Sequence, residues 1–83
     1  MNLSTSPLAS HMDQLFSLHL ASYFARDQYI LPALHRMQKD NIYTIGDLVK
    51  QSENELVKRY KISVGNRNKL RAFIQNFGLQ FAS

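Results

Sequence analysis

With 83 residues, 45% of them hydrophobic, the chain has material for one small core and no second domain. The absence of cysteine excludes disulfides, thiolate metal sites and thiol nucleophiles, and it fits an intracellular setting. Ten Lys and Arg against six Asp and Glu leave a net charge of +4, a balance that favours acidic or polyanionic partners.

Residues 1–12 (MNLSTSPLASHM) carry no Lys, Arg, Asp or Glu and show no apolar periodicity. Their Ser10-His11-Met12 ending looks like a cloning-site remnant; a natural flexible leader is the competing reading. Either way this stretch is expected to be disordered, and 13–83 to form a single helical interaction domain. No segment approaches the roughly 20 apolar residues of a membrane span, and no basic start with an apolar run marks a signal peptide, so no membrane is expected.

From Asp13 to about Arg26, apolar residues recur at three and four, which predicts one helix capped by Asp13. Leu15, Phe16, Leu18, Leu20, Tyr23 and Phe24 spread around more than one stripe of it, wider than a surface helix on so small a core needs. These six are the candidate oligomer interface, and a dimer or tetramer is expected. Pro32, lacking an amide hydrogen, places a break near 27–31 and starts a second helix to about Lys39, with Leu34 and Met37 inward.

Two capping patterns follow. Thr44 precedes Asp47 by three, a weaker acidic version, and Ser52 precedes Glu55 by three, the full box. They predict short helices over 45–51 and 53–60 with Ile45, Leu48, Val49, Leu56 and Val57 inward. A last helix opens near 64–66 and carries Leu70, Phe73, Ile74 and Phe77 inward. Gly78 fits the left-handed position that ends it, with Leu79 folding back as its apolar partner. The fold class expected is all-α: a compact bundle of four to five short helices with helix-hairpin-helix character.

Chemistry-bearing residues are few. His11, His19 and His35 are scattered without the spacing that sets two imidazoles on one metal, and Asp47, Glu53 and Glu55 stand where caps and first turns favour negative charge. No enzyme, metal, cofactor or small-molecule substrate is expected. Beyond Glu55 no acid occurs, while Lys58, Arg59, Lys61, Arg67, Lys69 and Arg71 all follow it. Both a solvated face and a phosphate or acidic-partner contact stand open there. Around Ser63, Gly65, Asn66, Arg67 and Lys69 an anion site is sketched: a glycine that permits close approach, helix amides and two cations. The competing reading is that Gly65 only permits a tight turn.

The run Asn41-Ile42-Tyr43-Thr44-Ile45-Gly46-Asp47-Leu48, with Ser52-Glu53-Asn54-Glu55-Leu56 and Gly65, resembles the C-terminal domain of the bacterial RNA polymerase alpha subunit. That resemblance implies DNA binding. Where the family carries a DNA-contacting arginine and asparagine, this chain has Pro32 and His35, and one extra residue precedes its glycine turn. The same run is similar, without a gap at Asn41-Ile42, Thr44, Gly46-Asp47-Leu48, Glu55 and Ile62, to the C-terminal domain of the telomeric Rap-interacting factor family. This second resemblance implies a non-catalytic oligomerisation and docking scaffold in the nucleus, at telomeric chromatin, engaged in telomere-length regulation. A Rap-type telomere protein would be its partner, and DNA binding would be weak. Val64-Gly65-Asn66-Arg67-Asn68-Lys69-Leu70 before a long final helix is also similar to sterile alpha motif domains, which associate with themselves or with partner proteins.

Overall fold

The computed structural model describes the backbone of residues 7–83 and the side chains from Met12 onward. Six helices follow one another among the described residues: α1 (Pro7–Phe16), α2 (Leu20–Tyr23), α3 (Leu31–Gln38), α4 (Ile45–Val49), α5 (Glu53–Tyr60) and α6 (Val64–Gln75). The all-α class is as expected, with one more helix than the expected four to five.

The extra helix comes from the leading segment, which is two helices and not one. Ser17 donates its hydroxyl to the Gln14 carbonyl at 2.9 Å, and the Leu18 amide closes a tight turn on Leu15. The chain then runs extended beside Thr44. Leu20 N–H donates to the Tyr43 carbonyl and Ile45 N–H to the Leu18 carbonyl, both at 2.9 Å. These long-range bonds satisfy backbone groups that a continuous helix would have paired locally, and they carry the break. Asp13 accordingly lies inside α1 and accepts from Ser17 N–H through its backbone carbonyl; it does not cap the helix. Of the segment read as a leader, residues 7–12 belong to α1 and 1–6 lie outside the described residues.

Pro32 stands in the first turn of α3, where its missing amide hydrogen costs nothing, and Asp27 Oδ1 accepts from the Tyr29 and Ile30 amides just before it. The two capping patterns exchange strengths. Thr44 and Asp47 form the reciprocal box, with Asp47 Oδ2 accepting from both Tyr43 and Thr44 amides and Thr44 Oγ1 accepting from Asp47 N–H. At Ser52 only one half is made, Glu55 N–H donating to Ser52 Oγ at 3.4 Å, and Glu55 stays exposed. The shorter aspartate reaches back over its own turn and meets two amides at once.

Leu34, Met37, Ile45, Leu48, Leu56, Leu70 and Ile74 are buried as the periodicity predicts, while Val49, Val57 and Phe73 are half-buried against them. Phe77 is not inward but 36% exposed, because α6 ends at Gln75 and the next residues turn away. Leu20 of α2, Ala33 of α3, Tyr60 at the end of α5, and Ile30, Ile42 and Ile62 from the turns complete the core. No described helix is long and apolar enough to cross a membrane.

Candidate functional site

The six apolar residues expected to form an interface separate into two groups. Leu20 is 2% exposed and belongs to the core, and Leu15, Phe16 and Phe24 pack against it. Leu18 and Tyr23 remain at the surface. The break at residues 17–19 explains the division: by turning the second stretch away from the first, it lets one core receive both stripes. Most of the excess apolar surface is thus hidden within the chain, which corrects the expectation that Leu20 serves an interface.

Tyr23 is instead the outer end of an aromatic ladder. Its ring lies 5.0 Å from Phe73 and 6.2 Å from Phe77; Phe73 stands 5.0 Å from Phe24 and 5.3 Å from Phe77. The tilted and edge-on orientations are those aromatic rings favour. Phe24 anchors the ladder to the core, whereas Tyr23 at 48% and Phe77 at 36% open it to solvent. Sequence spacing placed Phe77 inward, and only the meeting of α2 with α6 reveals this patch.

The residues expected to hold an anion are brought together at the start of α6 but are engaged there. Ser63 Oγ accepts from Asn66 N–H at 3.2 Å, and Asn66 Nδ2 donates to the Tyr29 carbonyl at 3.0 Å. Arg67 Nε, buried, sits 3.3 Å from Glu53 Oε1, close enough for an ion pair but not aligned as a hydrogen bond, while its terminal nitrogen donates to Asn54. Arg71 binds the same Glu53 oxygen at 2.7 Å. Lys69 Nζ pairs with Asp27 Oδ2 at 2.7 Å and lies 5.8 Å from the centre of the Tyr29 ring. A Cβ added at Gly65 would meet nothing within 4 Å, so the glycine is not required by local packing.

These pairs hold the carboxylates in their charged form. The Lys69 ammonium is the main cause that keeps Asp27 below its ordinary value. Burial pushes Glu53 up, but the two guanidiniums outweigh it and the carboxyl ends below the usual range. Asp47 is likewise raised by burial and lowered further by the Tyr43 and Thr44 amides. Tyr60 moves the other way, its phenol pushed up by burial and by its hydrogen bond to Asp40.

Neither described histidine converges with other ligands. His19 is exposed with its ring 6.3 Å from Tyr43, His35 is exposed on α3, and the side chain of His11 lies outside the described residues. No group of three or more His, Asp or Glu side chains comes together among the described residues. A cleft of about 310 Å³ lies between the start of α5, α6 and the terminal segment, with Glu53 and Arg71 on its wall already bound to each other. No family model, curated protein or solved structure matches the chain.

Proposed function

We propose that this chain is a non-catalytic homo-oligomerisation and protein-docking module, working as a scaffold in a nuclear, telomere-associated protein that takes part in telomere-length regulation. The observation that carries its self-association is the aromatic ladder of Tyr23, Phe73 and Phe77, open to water at the α2–α6 edge. Half-exposed rings that already touch one another lose little side-chain freedom when a second copy covers them, and aromatic side chains contribute the most area per immobilised torsion. The telomeric placement rests on the resemblance of the Asn41–Leu48 run with Glu55 and Ile62.

Sedimentation equilibrium of the whole chain tests the reading. Assembly at micromolar concentration is expected, and the double substitution Tyr23→Glu, Phe77→Glu should yield monomers with unchanged helical circular dichroism. A wild-type chain that stays monomeric at high micromolar concentration removes the idea. Leu20→Glu is no test, since Leu20 is in the core and its replacement unfolds the monomer.

Duplex-DNA binding through Arg67 and Lys69 is the alternative, and it is the weaker because both cations are committed to Glu53 and Asp27. A phosphate would have to displace a carboxylate at each. Should it do so, each contact removed by Arg67→Ala or Lys69→Ala flattens the salt dependence of binding by about one unit. Absence of binding at low salt removes this alternative. A sterile-alpha-motif-like partner surface is a further form of the same docking role.

A further inference from the structure

The segment that follows α6 lies across the body of the domain and is lightly held. Gly78 turns left-handed at φ +73°, where a Cβ would meet nothing within 4 Å, and Leu79 N–H returns to the Ile74 carbonyl. Beyond that turn the chain runs beside the start of α5. Ala82 pairs with Ser52 in a parallel bridge, and its N–H donates to the Gln51 carbonyl at 3.0 Å. Among the described residues this is the one backbone hydrogen bond that ties residues 80–83 to the body. Leu79 and Phe81 are half-buried against the core, while Gln80, Ala82 and Ser83 are exposed. The cleft of about 310 Å³ lies between this strap and Ser52, Glu53, Arg71 and Ile74, so the strap spans the α5–α6 groove without filling it.

We infer that residues 79–83 are exchanged between two copies of this chain, the strap of each seated in the α5–α6 groove of the other. The inference rests on the self-association half of the proposed function and gives it a second, interlocking contact. Two observations name a second copy as the occupant. The groove already accepts this sequence, with Phe81 as apolar anchor and the Gln51 carbonyl as backbone acceptor, so the strap of another copy makes the same contacts. The hinge also leaves α6 directly after Phe77, whose ring belongs to the exposed aromatic edge proposed to meet a second copy. Association there sets each Gly78 one residue from the contact, and five extended residues reach roughly 17 Å. Release costs little, because one hydrogen bond and two half-buried side chains are given up and then regained in the partner. What the exchanged strap cannot keep is the left-handed turn, which directs it back over its own groove. Gly78 permits either course, since glycine adopts the turn and an extended form alike.

Disulfide trapping tests this cleanly, because the chain has no cysteine of its own. The whole chain carrying Ser52→Cys and Ala82→Cys is refolded under reducing conditions over a range of concentrations and then oxidised. Bridged neighbours are close enough for a disulfide, so the pair links wherever the strap is seated. On a non-reducing gel, covalent dimers joined 52 to 82, with the link mapped by peptide mass, are expected in a fraction that rises with concentration. Adding Gly78→Ala strains the left-handed turn and should raise the dimer-to-monomer ratio by about fivefold or more at fixed concentration. Helical circular dichroism should be unchanged in each variant. Links within single chains alone, at every concentration up to high micromolar, overturn the inference, as does a pair that never links or a ratio that Gly78→Ala leaves unmoved. Sedimentation of the cysteine-free chain separates the two ideas. A chain that assembles while its cysteine pair closes only on itself keeps the aromatic-edge association and loses the exchange; a chain that stays monomeric loses both.

Discussion

Gly46 and Gly65 are both helical glycines in short runs with turn residues nearby, yet they carry opposite obligations. A Cβ at Gly46 would come within 2.9 Å of both the Cβ and the carbonyl oxygen of Phe16, so α1 reaches α4 only because that hydrogen atom is small. Gly46→Ala must push the two helices apart, and a loss of about 1 to 3 kcal/mol is expected in urea unfolding. At Gly65 the added methyl enters open space, so Gly65→Ala should gain roughly 0.5 to 1 kcal/mol from helix propensity alone. In the sequence the two look alike; only the position of Phe16, thirty residues away from Gly46, tells them apart.

Three helices end in the same way. After α3 the backbone turns left-handed at Asn41 and Ile42 N–H returns to the Met37 carbonyl; after α5 it turns at Lys61 and Ile62 returns to Val57; after α6 it turns at Gly78 and Leu79 returns to Ile74. Each return carries an aliphatic side chain back toward the core, and Ile42 and Ile62 are buried outright. Gly78 announced this turn because glycine pays no steric penalty there, and Asn41 is tolerated for its short polar side chain. Lys61 gave no such sign. Lys61→Gly should relieve the left-handed strain and stabilise the chain by up to about 1 kcal/mol in a thermal melt.

Caps and ion pairs at the element ends also set the response to pH. Asp27, Asp47 and Glu53 all have folded-state values below their ordinary ones, so the stability they contribute is complete above the usual carboxylate range and is lost as pH falls through those lowered values. Melting temperature should accordingly hold near neutrality and decline below about pH 4.5. Glu53→Gln should flatten that decline, and Asp47→Ala should both flatten it and cost about 1 kcal/mol at pH 7 through the lost cap. Tyr60 has the opposite sign: its raised phenol contributes below its ordinary value and ceases to do so as pH rises through the folded-state value, above about pH 10. Melts followed by circular dichroism across both limbs would show the asymmetry.

At the scale of the whole molecule, a single core draws on every helix from α2 to α6 and on the turns between them. In a domain this small no element has a reserve, so Leu34→Ala, at 1% exposure, should cost about 2 to 5 kcal/mol, enough to leave a large unfolded population. Assembly through the Tyr23 and Phe77 edge would offset part of that loss, and the melting temperature of Leu34→Ala should then rise with protein concentration. A melting temperature independent of concentration would count against assembly.

Local information was enough for the helical class, for α3 to α6 and for the left-handed stop at Gly78, because three-and-four spacing, proline, caps and glycine act within a turn of the residue that carries them. The break between α1 and α2 and the return of Leu20 to the core depend on Thr44 and Tyr43 arriving beside residues 18–20, and no local signal encodes that meeting. The charges show the same limit most plainly. Sequence counts Arg67, Lys69 and Arg71 as an excess, but folding sets them against Glu53 and Asp27 and leaves other cations free, since a charge is spent by its neighbours in space and not by those along the chain.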